Sequence, residues 1–229
     1  MKPGRLYICP TPIGNLEDIT LRTLNALRLA DIIIAEDTRE IRKLLDKYLI
    51  KKQVISYYKE KEREKLKTII GLIEEGKNLA LVSDRGTPGL SDPGSILIRS
   101  CIEEKIEVVA LPGPTSIITA LIGSGLPTEK FIFIGFLPKK KKQKQEVLSN
   151  LLREEGTIIL FESPFRLLST LGVLKEIYGE REIVVARELT KKHEEFIRGK
   201  IDEVFSRLSK KKIKGEIIVL IKGLEEERI

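Results

Sequence analysis

The chain has 229 residues, of which 41% are hydrophobic, 5% aromatic and 33% charged. This length accommodates one large domain or two small ones, and its apolar runs are much shorter than the roughly 20 residues that a membrane span requires. The 41 Lys and Arg residues outnumber the 34 Asp and Glu residues, which gives a net charge of +7. This charge suits a polyanionic partner but does not establish one. No apolar leader of the signal-peptide type follows Met1, so we expect a cytoplasmic protein.

Short β-branched runs alternate with helical patterns through the first half of the chain. The leucine spacing of 20–30 indicates a helix. Further helices are predicted around 39–45, in 59–76 and in 94–105. This alternation predicts a mostly parallel sheet that is covered on both faces. The strand candidates are 5–10, 31–37, 53–58, 78–84 and 107–113.

The second half has a different spacing. Its last strand candidates lie too close together for crossover helices, which predicts a mixed sheet. The segment "SPFRLLSTLGVLKEIY" (163–178) is interpreted as a helix with a serine cap and Pro164 at its first position. A proline–glycine hinge within "LPGPTS" favours two α/β domains, 1–114 and 115–229. The strand candidates are 130–138, 156–163, 181–190, 193–201 and 215–223.

Four loops that follow predicted strands share a chemistry rich in glycine and proline. Ligands in open α/β sheets bind beyond the carboxyl ends of the strands. Glycine lets the main chain approach a ligand closely, and proline keeps the loop rigid. We therefore expect recognition of a small molecule by main-chain groups, without a Walker loop or a G-x-G-x-x-G fingerprint. For a lone "SD", capping of the next turn by Asp84 is an equal alternative. The loops are "CPTPIGNLEDITLRT", "EDTR", "SDRGTPGLSDPG" and "LPGPTS".

Together these loops resemble the ribosomal RNA small-subunit methyltransferase I family, within the tetrapyrrole methylases. The matching segments run in family order from the first strand to about Glu195, and they include "PTPIGNLEDIT", "DIIIAEDTR", "LVSDRGTPGLSDPG", "ESPFRL" and "ARELTKKHEE". The resemblance implies a homodimer of two-domain α/β subunits, with S-adenosylmethionine in the cleft between the domains. It implies transfer of a methyl group to the ribose 2′-hydroxyl of a decoding-centre cytidine, in 16S rRNA or the small ribosomal subunit.

The resemblance also assigns cofactor-binding positions, motif by motif. "PTPIGN" corresponds to the first cofactor loop, "SDRGTP" to the loop at the methionine end, and the residues after "PGPT" to the ribose and adenine side. Two positions depart from the family. Arg85 stands where a small residue is usual, so we expect it to point outward, and Phe165 replaces a frequent histidine, which argues against an acid or base there. The implied cofactor-binding residues are Pro12, Gly14, Asp84, Gly86, Thr87, Ser116 and Ile117.

A ribose hydroxyl is a weak nucleophile, so a proton acceptor would assist the reaction. Glu36 and Asp37 are the favoured candidates, ahead of Asp92, with Glu17 and Asp18 behind them. An equally weighted alternative is that Asp37 caps the following helix while Arg39 pairs with Glu36. RNA is expected to contact cations beside the cleft, although the lysine run could also be a solvated face. These cations are Arg22, Arg39, Arg85, Lys139, Lys140, Lys141, Lys142 and Arg166.

Other functions stay open at this point. A methylase of the same fold could act on a small tetrapyrrole-like molecule, and a non-enzymatic RNA-binding assembly factor could retain the fold. A single histidine, His193, and the lack of a cysteine cluster argue against a metal site. Cys9 and Cys101 are predicted to be buried thiols.

Overall fold

The computed structural model describes residues 2–224, and the chain divides into two compact units between Thr115 and Ser116. Among the described residues, no helix has both the length and the apolar character needed to cross a membrane.

The first unit contains a five-stranded parallel sheet. The strand order is β3-β2-β4-β1-β5, and every pairing in it is parallel. All five strands that the sequence predicted are confirmed, each slightly shorter than expected. The strands are β1 (Arg5–Cys9), β2 (Ile32–Ala35), β3 (Gln53–Ser56), β4 (Leu79–Val82) and β5 (Glu107–Ala110). The helices are α1 (Leu21–Leu29), α2 (Thr38–Lys47), α3 (Glu62–Glu74) and α4 (Ser95–Glu103), with short 3-10 helices at Leu16–Asp18 and Lys59–Lys61.

Helices cover both faces of this sheet, as predicted. One apolar cluster joins α1 and α2 to the sheet through residues such as Leu27 and Leu44. The other joins α3 and α4 to the opposite face through Ile73 and Leu97. Burial on both faces explains why β2 and β4 are continuous apolar runs without alternation.

The second unit contains a mixed five-stranded sheet with the order β6-β7-β10-β8-β9. The pair β6 and β7 is parallel, and the other pairings are antiparallel, which confirms the predicted mixed sheet. Its strands are β6 (Phe131–Phe136), β7 (Thr157–Glu162), β8 (Glu182–Arg187), β9 (Glu195–Lys200) and β10 (Ile217–Ile221). Its helices are α5 (Ser116–Ser124), α6 (Lys141–Asn150), α7 (Leu167–Tyr178) and α8 (Ile201–Leu208).

The core of the second unit lies between its sheet and the helices α6, α7 and α8. Leu148, Leu171 and Val204 bring one buried residue from each helix into this cluster. Helix α5 packs against the strands β8, β9 and β10.

The predicted start of α7 was wrong. The helix begins at Leu167, not at Pro164, and Ser163 does not cap it with its side chain. Instead, the main-chain oxygen of Ser163 accepts the N–H of Arg166 at 3.1 Å and that of Leu167 at 3.0 Å. The proline therefore opens a tight turn, and Phe165 lies in that turn.

Both cysteines are free and buried, as predicted. Burial raises the pKa of the Cys9 thiol to about 12 and that of Cys101 to about 11. Both groups are therefore neutral thiols at physiological pH.

Candidate cofactor-binding site

The carboxyl ends of β1, β2, β4 and β5 lie along one edge of the first sheet, because these strands are parallel. The glycine- and proline-rich loops singled out in the sequence leave the sheet at this edge. Hydrogen bonds join these loops to one another.

The loops after β1 and β4 are joined by a two-way main-chain bridge. Thr11 donates its N–H to the oxygen of Gly86 at 2.8 Å, and Gly86 returns a hydrogen bond to the oxygen of Thr11 at 3.0 Å. The Thr11 hydroxyl donates to the oxygen of Ser83, and the Ser83 hydroxyl donates to the oxygen of Gly86, each at 3.0 Å. Thr11 and Ser83 are both buried, so these contacts hold the base of the two loops in one geometry.

The loop after β5 joins the same assembly. The Thr87 hydroxyl donates to the main-chain oxygen of Pro114 at 3.3 Å. A β-carbon on Gly113 would lie 2.6 Å from the ring of Pro10, so only glycine permits this approach. Gly86 has φ +78°, in the region where side chains are strained, and its β-carbon position lies 3.4 Å from Ile13.

The loop after β2 is attached through a side chain. The Asp84 carboxylate accepts the main-chain N–H of Asp37 at 2.9 Å. This contact differs from the alternative considered for Asp84, in which it capped the next turn. Since β2 and β4 are neighbours, the hydrogen bond fixes the "EDTR" segment beside the "SDRGTP" segment.

Three carboxylates on these loops have raised pKa values. Burial raises the pKa of Glu36, and the negative charge of Asp84 adds to this effect. Burial also raises the pKa of Asp84, although the hydrogen bond from Asp37 opposes the change. For Asp92, burial and then the charge of Asp84 raise the pKa to about 6. The edge of the sheet is therefore an environment of crowded negative charge that a cation would stabilise.

The pKa of Asp37, in contrast, is lowered. Its carboxylate accepts the main-chain N–H of Arg39 at 2.8 Å and thereby caps α2. It also binds the guanidinium of Arg39, with a shortest distance of 2.6 Å, and these contacts lower its pKa to about 2. The predicted cap is confirmed, whereas the predicted pairing of Arg39 with Glu36 was wrong. The reason is geometric: a cap residue at the helix start faces the side chain two positions later.

The far end of the "SDRGTPGLSDPG" loop is anchored to α3. Gly94 has φ +128° and donates its N–H to the buried carboxylate of Glu62 at 2.8 Å. Sequence analysis did not identify Glu62, because it lies 32 residues before its partner in a segment dominated by charged residues.

The predicted cofactor residues fall in both units. In the first, Pro12 is buried beside the Thr11–Gly86 bridge, Gly14 is exposed, and Thr87 is half-buried. Ser116 and Ile117 are the first residues of α5 in the second unit, and Ile117 is buried there. Among residues 2–224, no cluster of three or more His, Cys, Asp or Glu side chains is arranged to hold a metal ion.

Most of the predicted RNA-binding cations are exposed, including Arg22, Arg39 and Arg85. The side chains of Lys139, Lys140 and Lys142 are exposed too, and Lys141 pairs with Glu176 at 2.8 Å. Arg166 is largely occupied inside the protein. Its guanidinium lies 3.2 Å from the Glu162 carboxylate and donates to the main-chain oxygen of Leu137 at 2.7 Å.

Glu162 belongs to a buried polar network that sequence analysis missed. Lys144 donates to the Thr170 hydroxyl at 2.7 Å, and Thr170 donates to the Glu162 carboxylate at 2.5 Å. All three side chains are at most 3% exposed. The network connects the end of β7 to the first turns of α6 and α7. Its hydrogen bonds link the opposite charges of Lys144 and Glu162, as a buried pair of charges requires.

Comparison with known proteins identifies the family. The profile of the tetrapyrrole (corrin/porphyrin) methylases matches residues 5–204. Ribosomal RNA small subunit methyltransferase I of Thermotoga maritima is 50% identical over 97% of this chain and all of its own length. The protein of the same name from Hydrogenobaculum sp. is also 50% identical, over 95% of each chain.

The fold has a matching solved structure. Uroporphyrin-III C-methyl transferase from Thermus thermophilus, complexed with S-adenyl homocysteine, has a TM-score of 0.67 and 17% identity. The likeness covers 96% of this chain and 97% of that one. This likeness concerns the fold alone. The full-length relatives and the matching family profile establish that the chain belongs to the ribosomal RNA small subunit methyltransferase I family, within the tetrapyrrole methylases.

Proposed function

We propose that this methyltransferase transfers a methyl group from S-adenosylmethionine to the ribose 2′-hydroxyl of a decoding-centre cytidine in 16S rRNA. The relatives that match the whole chain are named for methylation of ribosomal RNA. The observation that carries the proposal is the main-chain bridge between Thr11 and Gly86, which joins the first two cofactor loops of the family motif at the carboxyl edge of the sheet.

The residues of this edge fit the cofactor chemically. S-adenosylmethionine carries a positive sulfonium and a positive ammonium group, and the crowded carboxylates Glu36, Asp84 and Asp92 would be stabilised by such a ligand. Gly86 uses its N–H and C=O groups in the contacts with Thr11 and Ser83, so its contribution is to let the cofactor approach the main chain closely, and the main chain of Thr87 would face the polar ends of the cofactor. The cofactor supplies a methyl group that is already activated on sulfur. We assign its binding to Pro12, Gly14, Asp84, Gly86, Thr87, Ser116 and Ile117.

The protein's own contribution is to position the ribose hydroxyl and to accept its proton. Glu36, on the loop after β2, suits the role of proton acceptor better than Asp37 does. Its pKa is raised by burial and by the negative charge of Asp84. Asp37 is occupied by Arg39 and by the helix start, and its low pKa makes it a weak base. We therefore assign the proton acceptor to Glu36 and a structural role to Asp37.

Exposed cations would hold the RNA backbone. Arg22, Arg39, Arg85 and the run Lys139–Lys142 are solvent-accessible and match the net positive charge of the chain. Arg166 would contribute through the Leu137 contact that shapes the neighbouring loop. The partner is 16S rRNA or the small ribosomal subunit, and the protein acts in the cytoplasm as a homodimer.

Transfer of a labelled methyl group tests the proposal. The purified protein is incubated with trideuteromethyl S-adenosylmethionine and either small ribosomal subunits or naked 16S rRNA, and the RNA is digested and mapped by mass spectrometry. We expect one labelled 2′-O-methylcytidine. Label only in a porphyrinoid offered in parallel, with none in RNA, would contradict the proposal and favour a small-molecule methylase.

A further inference from the structure

Two phenylalanines are strongly exposed near one edge of the second sheet. Phe165 is 98% exposed and Phe136 is 58% exposed. The chain has only seven phenylalanines, five tyrosines and no tryptophan, so aromatic surface is scarce. Phenylalanine normally contributes to stability by burial, and neither ring here fills the core.

Chain topology places both residues at the same edge. Phe136 is the last residue of β6, and Phe165 follows the end of β7 by three residues. Because β6 and β7 are parallel, their carboxyl ends lie side by side.

A hydrogen bond joins the segment that follows β6 to the turn that follows β7. Arg166, next to Phe165, donates to the main-chain oxygen of Leu137, next to Phe136, at 2.7 Å. Arg166 is itself fixed by the buried carboxylate of Glu162. A half-buried arginine held by a buried carboxylate therefore ties the segment after β6 to the turn after β7.

A β-bulge also sets the position of Phe136. The pairing of β6 with β7 shifts between Phe133 and Phe136, and Gly135 in this interval has φ +67°. Bulges re-aim a side chain at the end of a strand. The Phe136 ring packs against Phe161 at 5.4 Å between centroids, which fixes it while more than half of the side chain stays in solvent.

Exposed lysines follow Phe136 in the chain. The exposed residues Lys139, Lys140 and Lys142 come three to six residues after Phe136, at the start of α6. Exposed aromatic rings beside a row of cations form the surface that binds single-stranded nucleic acid, where bases stack on rings and phosphates meet cations.

We propose that Phe165 and Phe136 form a stacking platform for an unpaired base of the RNA substrate. This inference rests on the proposed function, because it presupposes an RNA substrate. It assigns base contact to the turn "SPFR" and phosphate contact to Lys139, Lys140 and Lys142.

Tryptophan fluorescence provides the test. Since the chain lacks tryptophan, Phe165→Trp introduces a single reporter into the full-length protein. Leu152→Trp is the matched control: it is partly exposed in the same unit, and it follows α6, which leads back to the opposite edge of the sheet. We expect single-stranded oligocytidylate to quench the fluorescence of Trp at 165, whereas inorganic polyphosphate of equal charge does not. The control should respond to neither probe.

Binding measurements complete the test. Phe165→Ala should weaken oligocytidylate binding about 5- to 100-fold, Phe165→Tyr should restore it, and polyphosphate binding should not change. Unquenched Trp at 165 together with unaltered affinity of Phe165→Ala would overturn the inference, as would conversion of a dimer to a monomer by Phe165→Ala with unchanged RNA binding. Methyl transfer by the unsubstituted protein is measured alongside, so that a failure of the platform is distinguished from a failure of the proposed function.

Discussion

Glu36 and Asp37 are adjacent in sequence, yet their carboxylates differ in their chemistry. Burial and the charge of Asp84 raise the pKa of Glu36, whereas the Arg39 guanidinium and the helix start lower that of Asp37 to about 2. Glu36→Gln should lower kcat about 10²- to 10⁴-fold, since it removes the proposed proton acceptor. It should also weaken cofactor binding, since it removes one of the negative charges that the positive groups of the cofactor would stabilise. Single-turnover transfer rates measure the effect on kcat.

The matched variant is Asp37→Asn, which retains a cap residue and should change kcat by only a few fold. With Glu36 as acceptor, the rate should rise with pH through a pKa that is raised from the ordinary glutamate value, because only the ionised form accepts a proton. Equal kcat values for Glu36→Gln and the unsubstituted protein would remove Glu36 from this role.

Gly86 combines a required conformation with a required contact. An alanine there would occupy φ +78°, which costs about 1–2 kcal/mol, and its β-carbon would lie in van der Waals contact with Ile13 at 3.4 Å. Gly86→Ala should therefore lower the free energy of unfolding by about 1–2 kcal/mol and weaken S-adenosylmethionine binding.

Gly71→Ala is its control. Gly71 lies inside α3 with open space around its β-carbon position, so alanine should stabilise the protein by about 0.5–1 kcal/mol. Denaturant unfolding with calorimetric titration of the cofactor measures both changes. A Gly86→Ala protein with unaltered stability and cofactor affinity would contradict the role of the Thr11–Gly86 bridge.

At the scale of elements, strand positions were predictable because short β-branched runs such as "DIIIAED" are typical of buried strands and are rarely found in helices or loops. The start of α7 was mispredicted since a serine–proline pair is compatible with a helix start and with a turn, and only the main-chain hydrogen bonds to Ser163 distinguish them. The glycine loops could be recognised as a candidate site from their spacing after strands. The partners Glu62 and Lys144 could not, because their contacts span 32 and 26 residues and leave no local pattern.

The buried network in the second unit permits a prediction about Thr170. Its hydroxyl connects Lys144 to Glu162, so Thr170→Val leaves two buried charges short of a hydrogen bond. The free energy of unfolding should fall by about 3 kcal/mol, the upper range for buried groups with charged partners.

Thr157→Val is the matched control in the same unit. Thr157 is equally buried, but its hydroxyl donates to the neutral main-chain oxygen of Pro127 at 2.7 Å. This change should cost about 1 kcal/mol. Equal losses for the two variants in urea unfolding would show that the charges of the network add nothing.

At the scale of the whole molecule, the net charge of +7 predicts RNA binding that weakens with salt. Replacement of Lys139, Lys140 and Lys142 by Gln should reduce the slope of log affinity against log salt concentration by about 2, since each phosphate contact to a single strand contributes about 0.7. Fluorescence anisotropy of a labelled RNA fragment across a salt series gives the slope.

A control variant removes the same charge elsewhere. Lys51, Lys52 and Lys105 lie just before β3 and β5, at the edge of the first sheet opposite the glycine- and proline-rich loops. Their replacement by Gln should leave the slope nearly unchanged. Equal slopes for the two triple variants would mean that the lysine run is only a solvated face.

The central claim is that the joined loops at the carboxyl edge of the first sheet hold the cofactor. A crystal structure of the protein with S-adenosylhomocysteine tests it most directly. We predict that the nucleoside contacts the main chain at Gly86 and Thr87, with its amino group near Asp84. A nucleoside bound away from the loops after β1 and β4, or no bound nucleoside at saturating concentration, would contradict the claim.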